Sequence, residues 1–372
     1  MVNTFKRIIV KIGSNVLTRD DGTLDITRMS SLVDQVAMLH KQGLEIIMVS
    51  SGAVASGRSE MRGSKAAGRH MDAVSARQLF SAVGQAKLIN RYYELFREHG
   101  LTCGQVLTTK ENFSTRHQYL NQKHCMEVML DNGVIPIVNE NDTISVTELM
   151  FTDNDELSGL IASMMNAQAL VLLSNVDGVY DGDPGNPGSK VIAEIRPDEK
   201  GQDADTFIMH SKSSFGRGGM ESKFNTARKV AAEGIAVFIA NGKRDGILPG
   251  VLLGGLGVPF TKFLPSARPV SGVKKWIAHS DSFAKGEIHV NRGAYEALMS
   301  PRATSLLPIG VTKVEGEFEK DDIVKIISPD GVAFAVGRIV CDSAAASAKA
   351  GTQGGRPLIH YNYLYIEKEN NG

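Results

Sequence analysis

Over the first 240 residues, apolar positions follow two alternating rhythms. Short aliphatic runs at 8–11, 45–49, 102–107, 134–138, 169–173 and 236–240 predict strands. Between them, apolar residues recur at helical spacing. Met29, Leu32, Val33, Val36 and Leu39 predict one helix, with Asp25 as its cap and Gly43 as its stop. Residues 75–98 predict another, with Leu79, Ala82, Val83, Ala86, Ile89, Tyr93 and Phe96 on one face and Gly100 at its end. Strands alternating with helices of this length imply an α/β fold, a mostly parallel sheet sandwiched between helices. The stretch 59–70, rich in Gly, Arg and Lys, reads as an exposed connecting loop.

From residue 250 the pattern changes to Gly254-Gly255, then Pro259, Pro265 and Pro269, then Lys274-Lys275. A junction near 266–276 divides a larger domain, 1–266, from a small, mainly β module, 277–366. Strands are expected there at 287–290, 313–317, 323–327, 332–340 and 361–366, with one helical piece at 294–300.

Candidate chemistry concentrates where predicted strands end. The run 134–138 stops at Asn139-Glu140-Asn141-Asp142, and Asp153-Asn154-Asp155 opens a helical run soon after. In open α/β sheets the ligand crevice lies at the carboxyl ends of the strands. Such residues cap helices and fill turns, but they also bind the ammonium and carboxylate of a small polar substrate. Lys11-Ile12-Gly13-Ser14 puts an ammonium and backbone N–H groups at the first strand's exit, and Ser50-Ser51-Gly52-Ala53 repeats the arrangement at the second. Ser174-Asn175 ends the fifth strand, and Asp177-Gly178 with Asp183-Pro184 predicts a hairpin after it. Arg217, Gly218, Gly219, Met220, Glu221, Ser222 and Lys223 lead into a helix reaching about residue 232, a loop able to wrap a polyphosphate. The string G-x-x-x-x-G-K-[ST] and the fingerprint G-x-G-x-x-G are both absent, as are H-E-x-x-H and any evident Ser-His-Asp set. Two lysines from opposite ends of a domain, and an Asp able to hold both, fit phosphoryl transfer. An acceptor that is already a carboxylate, with a pKa of about 4.3, needs no general base.

Composition narrows the setting. The 372 residues are 42% hydrophobic and 22% charged, with zero formal net charge, so no global attraction to nucleic acid or membrane is implied. Cys103, Cys125 and Cys341 stand far apart and read as reduced, buried thiols. No apolar stretch approaches the length of a membrane span, and the first strand begins too early for a signal peptide; a cytoplasmic location is expected.

Six strings carry a family resemblance: VKIGSNVLT (10–18), SSGAVASG (50–57), SARQLFSAVGQAKL (75–88), VNENDTISV (138–146), DNDELSGLIA (153–162) and RGGMESK (217–223). Together they resemble the glutamate kinase branch of the amino-acid kinase family over nearly the whole chain. The string GEIHVNRGAYEALMSPRATSLLPIGV (286–311) looks like the start of a PUA domain. The resemblance implies phosphorylation of the L-glutamate side chain by ATP with Mg2+, the first step of proline synthesis. By it, Lys11 and Lys223 stabilise the transferring group and Asp155 orients them. Ser51, Gly52, Asp142 and Asn154 bind glutamate, with Asp142 on its α-ammonium. Lys11, Ser174, Asn175 and residues 217–223 bind ATP. It further implies a homo-oligomer, feedback inhibition by proline and functional coupling to glutamate-5-semialdehyde dehydrogenase. The family usually has Thr at 217, often Asp at 175 and Thr at 222, where this chain has Arg217, Asn175 and Ser222.

Two rival readings remain. One is a kinase of the same fold acting on N-acetylglutamate, aspartate, carbamate or a nucleoside monophosphate. Those relatives generally carry Gly-Gly after the first lysine, whereas here Gly13 precedes Ser14. The other is an RNA-binding regulator acting through the tail. Residues 277–372 hold ten basic and twelve acidic side chains, which is no basic footprint.

Overall fold

The computed structural model describes residues 5–62, 71–114, 116–144, 153–196, 219–254, 257–267, 277, 284–300 and 304–366. By Cα proximity the chain forms two compact units, Met1–Thr109 with Lys123–Pro269, and Lys110–Gln122 with Val270–Gly372. Most of the loop expected at 59–70 and of the junction expected at 266–276 lies outside the described residues.

The first unit is built on an eight-stranded sheet. Its strands are β1 (Arg7–Ile12), β2 (Glu45–Ser50), β3 (Thr102–Thr108), β4 (Val134–Glu140), β5 (Ala169–Ser174), β6 (Glu194–Ile195), β7 (Ala236–Asn241) and β8 (Phe260–Phe263). Their order is β3-β4-β2-β1-β5-β7-β8-β6. The six strands expected from the sequence are the six that run parallel. At the edge, β8 runs antiparallel to β7 and β6 pairs with β8. Strand β8 escaped the reading because it is four residues long, within a Pro- and Gly-rich stretch.

Helices in this part of the chain are α1 (Ser14–Leu17), α2 (Ile26–Lys41), α3 (Ala53–Glu60), α4 (Ala73–Glu98), α5 (Glu111–Ser114), α6 (Arg116–Asp131), α7 (Asn154–Met164), α8 (Gly219–Ala232) and α9 (Ile247–Leu253). Side chains alternate between sheet faces with period two. Ile8, Val10 and Ile12 therefore join Ile46, Met48, Val171 and Leu173 in one core with α2, α4 and α9. Lys11 faces the other way, where α7 packs on β1 and β5, and α8 on β7. That alternation decides where the Lys11 ammonium can go.

Helix α2 buries the five residues its spacing predicted, and Asp25 caps it by accepting from the Arg28 N–H. Helix α4 corrects the reading. Its buried side is Ser81, Gly84, Gln85, Leu88, Tyr92 and Phe96, while Ala82, Ala86 and Tyr93 are exposed. The helix is rotated because its first half packs through small and polar residues, which a hydrophobic pattern assigns to solvent. At Gly84 an added Cβ would lie 1.8 Å from the Ala53 carbonyl oxygen, and at Gly57 1.8 Å from that of Phe80. Two helix backbones touch there, and only glycine permits it.

The expected hairpin is present: Tyr180 bridges Val191, and the Ile192 N–H donates to the Val179 carbonyl at 2.8 Å. Only one thiol is buried as expected. Burial pushes Cys103 up to about 11, whereas Cys125 is exposed and Cys341 half-buried.

The second unit carries a five-stranded sheet of β9 (Gly286–Val290), β10 (Val311–Gly316), β11 (Ile323–Ile327), β12 (Ala333–Arg338) and β13 (Leu364–Ile366), ordered β10-β9-β11-β12-β13. Two helices accompany it, α10 (Arg292–Met299), capped by Asn291, and α11 (Ser343–Lys349), capped by Asp342. The strand expected at 361–366 is a strand only from Leu364. Residues Tyr361–Tyr363 form a 3-10 turn, with His360 Nδ1 accepting from the Asn362 N–H at 3.2 Å.

Candidate active site

Register brings four strand ends into one row. Ile12 pairs with Ser50 on one side and Leu173 on the other, and Val49 pairs with Val138. The residues just beyond are Gly13, Ser51, Asn139 and Ser174. They border the central strand, on either side of which the connections run in opposite directions, the usual place for a ligand crevice. A crevice of about 370 Å³ opens there, lined by Lys11, Ser14, Ser51, Asn154, Asp155 and Lys223 among others.

At its floor Lys11 Nζ lies 2.6 Å from Asp155 Oδ1, and Lys223 Nζ lies 2.9 Å from Asp155 Oδ2. Lys11 reaches Asp155 from β1 because it sits on the face that α7 covers. Asp155 is in the first turn of α7, whose cap Asp153 accepts from the N–H groups of Asp155 and Glu156 at 2.9 and 3.1 Å. Lys223 comes from the first turns of α8 and also donates to the Gly219 carbonyl at 3.1 Å. All three side chains are largely buried, Asp155 almost wholly. The two ammonium groups outweigh the Asp155 carboxylate they share, and the N-terminal end of α8 lies beside them, while Asp153 on the same crevice already caps α7. Such a site takes an anion.

Beside this trio the two Asn/Asp clusters meet. Asn154 Nδ2 donates to Ser51 Oγ at 2.9 Å and to Asn139 Oδ1 at 3.0 Å. Asn139 Nδ2 in turn donates to Gln85 Oε1 at 2.9 Å. Gly52 stands at φ 102°, a left-handed conformation that lets β2 turn at once into α3. Asp142, buried, accepts from Arg77 Nε at 2.7 Å. Under the same turn, Tyr92 and Ser50 share a buried hydroxyl–hydroxyl bond of 2.8 Å, and burial pushes the Tyr92 phenol well above its usual value. On the far wall, Ser174 Oγ donates to Asn175 Oδ1 at 3.4 Å.

Comparison with known proteins bears on this arrangement. The model of the amino acid kinase family matches residues 6–241, and that of the PUA domain residues 286–354. The chain belongs to the amino-acid kinase family. It is 65% identical to a glutamate 5-kinase of Bacteroides thetaiotaomicron, over 99% of this chain and all of that one. It is 45% identical to a glutamate 5-kinase of Chlorobaculum tepidum, over 97% and 98% of the two chains. Among solved structures, a carbamate kinase from Giardia lamblia bound to AMP-PNP superposes with a TM-score of 0.51 at 14% identity, covering 71% of this chain and 99% of that one. That likeness shows the fold alone. Membership of the family makes the chain a phosphotransferase.

Within this amino-acid kinase, the structure gathers Lys11, Ser51, Asn154, Asp155, Ser174, Gly219 and Lys223 around one crevice. Arg217 and Gly218 lie outside the described residues. The loop expected at 217–223 is corrected in part: Gly219, Met220, Glu221 and Ser222 already belong to α8. From Gly219 onward a polyphosphate would meet a helix end. Gly52 sits at the α3 terminus, and Asp142 lies behind the Asn139 network, facing Arg77. Sequence reading missed Arg77, Ser81, Gln85 and Tyr92. The signal for the first three was their i, i+4 spacing in α4, which a search for apolar spacing passes over. In the second unit, Glu287, His289 and Glu315 stand at metal-ligand spacing, but Lys313 already pairs with Glu315. Among the described residues no helix is long and apolar enough to cross a membrane.

Proposed function

We propose that this kinase transfers the γ-phosphoryl group of ATP to the side-chain carboxylate of L-glutamate, giving γ-glutamyl phosphate and ADP. The observation that carries the reading is the convergence of Lys11 and Lys223 on one buried carboxylate, beside a pocket of short amides and hydroxyls. The acceptor is an anion at neutral pH, so the obstacle is repulsion between it and the phosphates rather than a missing base. Lys11 and Lys223 neutralise charge on the transferring group as the acceptor oxygen–phosphorus bond forms and the bond to the β-phosphate oxygen breaks. Asp155 holds the two ammonium groups apart and aimed. Ser51, Gly52, Asn154 and Asp142 hold glutamate, and Ser174, Asn175 and residues 217–223 hold the nucleotide.

Magnesium fits this scheme as a companion of ATP rather than as a caged ion. Asp155 spends both oxygens on lysines and Asp153 caps α7, so Mg2+ would be held mainly by phosphates and water. It would supply further neutralisation of the phosphates. We assign catalysis to residues 1–266 and stability, assembly or regulation to residues 277–366. A homo-oligomer, proline inhibition, a cytoplasmic location and delivery of the labile acyl phosphate to a glutamate-5-semialdehyde dehydrogenase belong to the same proposal. The test is ADP release with L-glutamate, N-acetylglutamate, carbamate and UMP as separate acceptors. Turnover with L-glutamate is expected; turnover with N-acetylglutamate and none with L-glutamate would overturn the assignment.

A further inference from the structure

One face of α4 meets the end of β4 through three polar side chains spaced four residues apart: Arg77, Ser81 and Gln85. Gln85 receives the Asn139 amide, as described. Ser81 Oγ donates to Asp142 Oδ2 at 3.4 Å. Arg77 makes the strongest contacts: Nε donates to Asp142 Oδ1 at 2.7 Å, Nη2 lies 2.6 Å from the same oxygen, and Nη2 donates to Glu140 Oε2 at 3.0 Å. Both carboxylates are buried, with side-chain exposures of 7% for Asp142 and 3% for Glu140, while Arg77 keeps 37%.

Two features set this apart from an ordinary ion pair. One planar guanidinium brings two nitrogens, Nε and Nη2, to Asp142 Oδ1 and reaches Glu140 as well, an anchoring that a compact ammonium does not reproduce. Arg77 also uses only one oxygen of Asp142. Among the described residues Oδ2 has just the long Ser81 contact, so it is the oxygen left for an incoming cation. The same helix face fixes Asn139, which fixes Asn154, so the orientation of Asp142 and that of the crevice wall share one support.

We infer that Arg77 is a positioning residue of the amino-acid site, aiming Asp142 Oδ2 at the α-ammonium of the acceptor and thereby favouring acceptors with a free amino group. The inference rests on the L-glutamate reading above. Arg77 acts through Asp142 and touches neither the nucleotide nor the reacting oxygen.

The test is steady-state kinetics of full-length Arg77→Gln and Arg77→Lys, alone and combined with Asp142→Asn. Removing an interaction that serves binding alone raises KM and spares kcat, so Arg77→Gln should raise KM for L-glutamate by about tenfold or more, with kcat and KM for ATP within about twofold. Arg77→Lys, which keeps the charge without the fork, should lose only about threefold; it also carries the test if the Gln variant does not fold. With Asp142→Asn already present, Arg77→Gln should cost less than about twofold, because coupled residues are not additive. With glutarate, which lacks the amino group, Arg77→Gln should leave kcat/KM nearly unchanged. An unmoved KM for L-glutamate, an equal loss with glutarate, or an additive loss in the double variant would each overturn the inference. If the wild-type chain does not phosphorylate L-glutamate at all, the parent reading fails and takes the inference with it. An active wild type with an unmoved Arg77→Gln sinks the inference alone.

Discussion

Asp155 has nearly no contact with water and gives each of its oxygens to a different ammonium group. Replacing it by Ala leaves two buried cations facing each other, and removing one partner of a buried ion pair costs about 3–5 kcal/mol. We therefore expect Asp155→Ala to melt well below the wild type in thermal unfolding, and to be inactive as well. A milder case is Asp177, which the Arg244 guanidinium holds below the usual carboxylate range, helped by the Asn241 amide. A depressed folded-state pKa contributes stability above the unfolded value near pH 3.8 that is lost as pH falls through the folded value. The pair is partly exposed, so Asp177→Asn should cost a few tenths to about 1 kcal/mol at pH 5–8, shrinking towards zero below pH 4 in urea titrations. At this scale Lys11, Lys223 and Asp155 were legible because each stands at a strand or helix end. Arg77 and Gln85 were not, since a polar residue in a helix looks the same whether it faces water or a polar strand end.

Helices α3 and α4 cross where glycine meets backbone. Gly57 and Gly84 leave no room for a methyl group, as a carbonyl oxygen would lie 1.8 Å from either Cβ. Gly84→Ala and Gly57→Ala should each force the helices apart and destabilise the protein by about 2–4 kcal/mol, measured by chemical denaturation, with poor soluble expression as the visible sign. The turn between β2 and α3, proposed above to hold L-glutamate, sits directly before this crossing, so a survivor should also show a raised KM for L-glutamate. The rotation of α4 relative to its expected face has the same origin. Its inner side was chosen by close approach and by hydrogen bonds to Asn139 and Asp142, and neither leaves an apolar periodicity. Helix α2 was legible because its buried side is mainly aliphatic and methionine side chains at regular helical spacing, with Gln35 the one polar exception.

Across the molecule, six strands and their parallel arrangement followed from the sequence because each strand is an apolar run bounded by polar exits. The short strands β6 and β8 at one side of the sheet carry too few residues for any such pattern. The β-rich second unit was legible as a change of rhythm, except at the Ala-rich helix Ser343–Lys349, which has too few large apolar residues to show a period, and at residues 361–363, where a histidine cap and not hydrophobicity sets the backbone. Residues 277–372 hold ten basic against twelve acidic side chains, which predicts no submicromolar binding of structured RNA at about 0.15 M salt, where exposed charges are screened beyond ~8 Å; filter binding or anisotropy would check it. The account as a whole stands on the two lysines acting at one phosphate. The most direct measurement traps the acyl phosphate with hydroxylamine and quantifies γ-glutamyl hydroxamate from ATP and L-glutamate in the wild type, Lys11→Ala and Lys223→Ala. Loss of one preorganised charge at a transition state typically costs about 10²–10³-fold in kcat, so both variants should fall by that much while remaining folded. Hydroxamate formed at near wild-type rates by either variant would contradict the account.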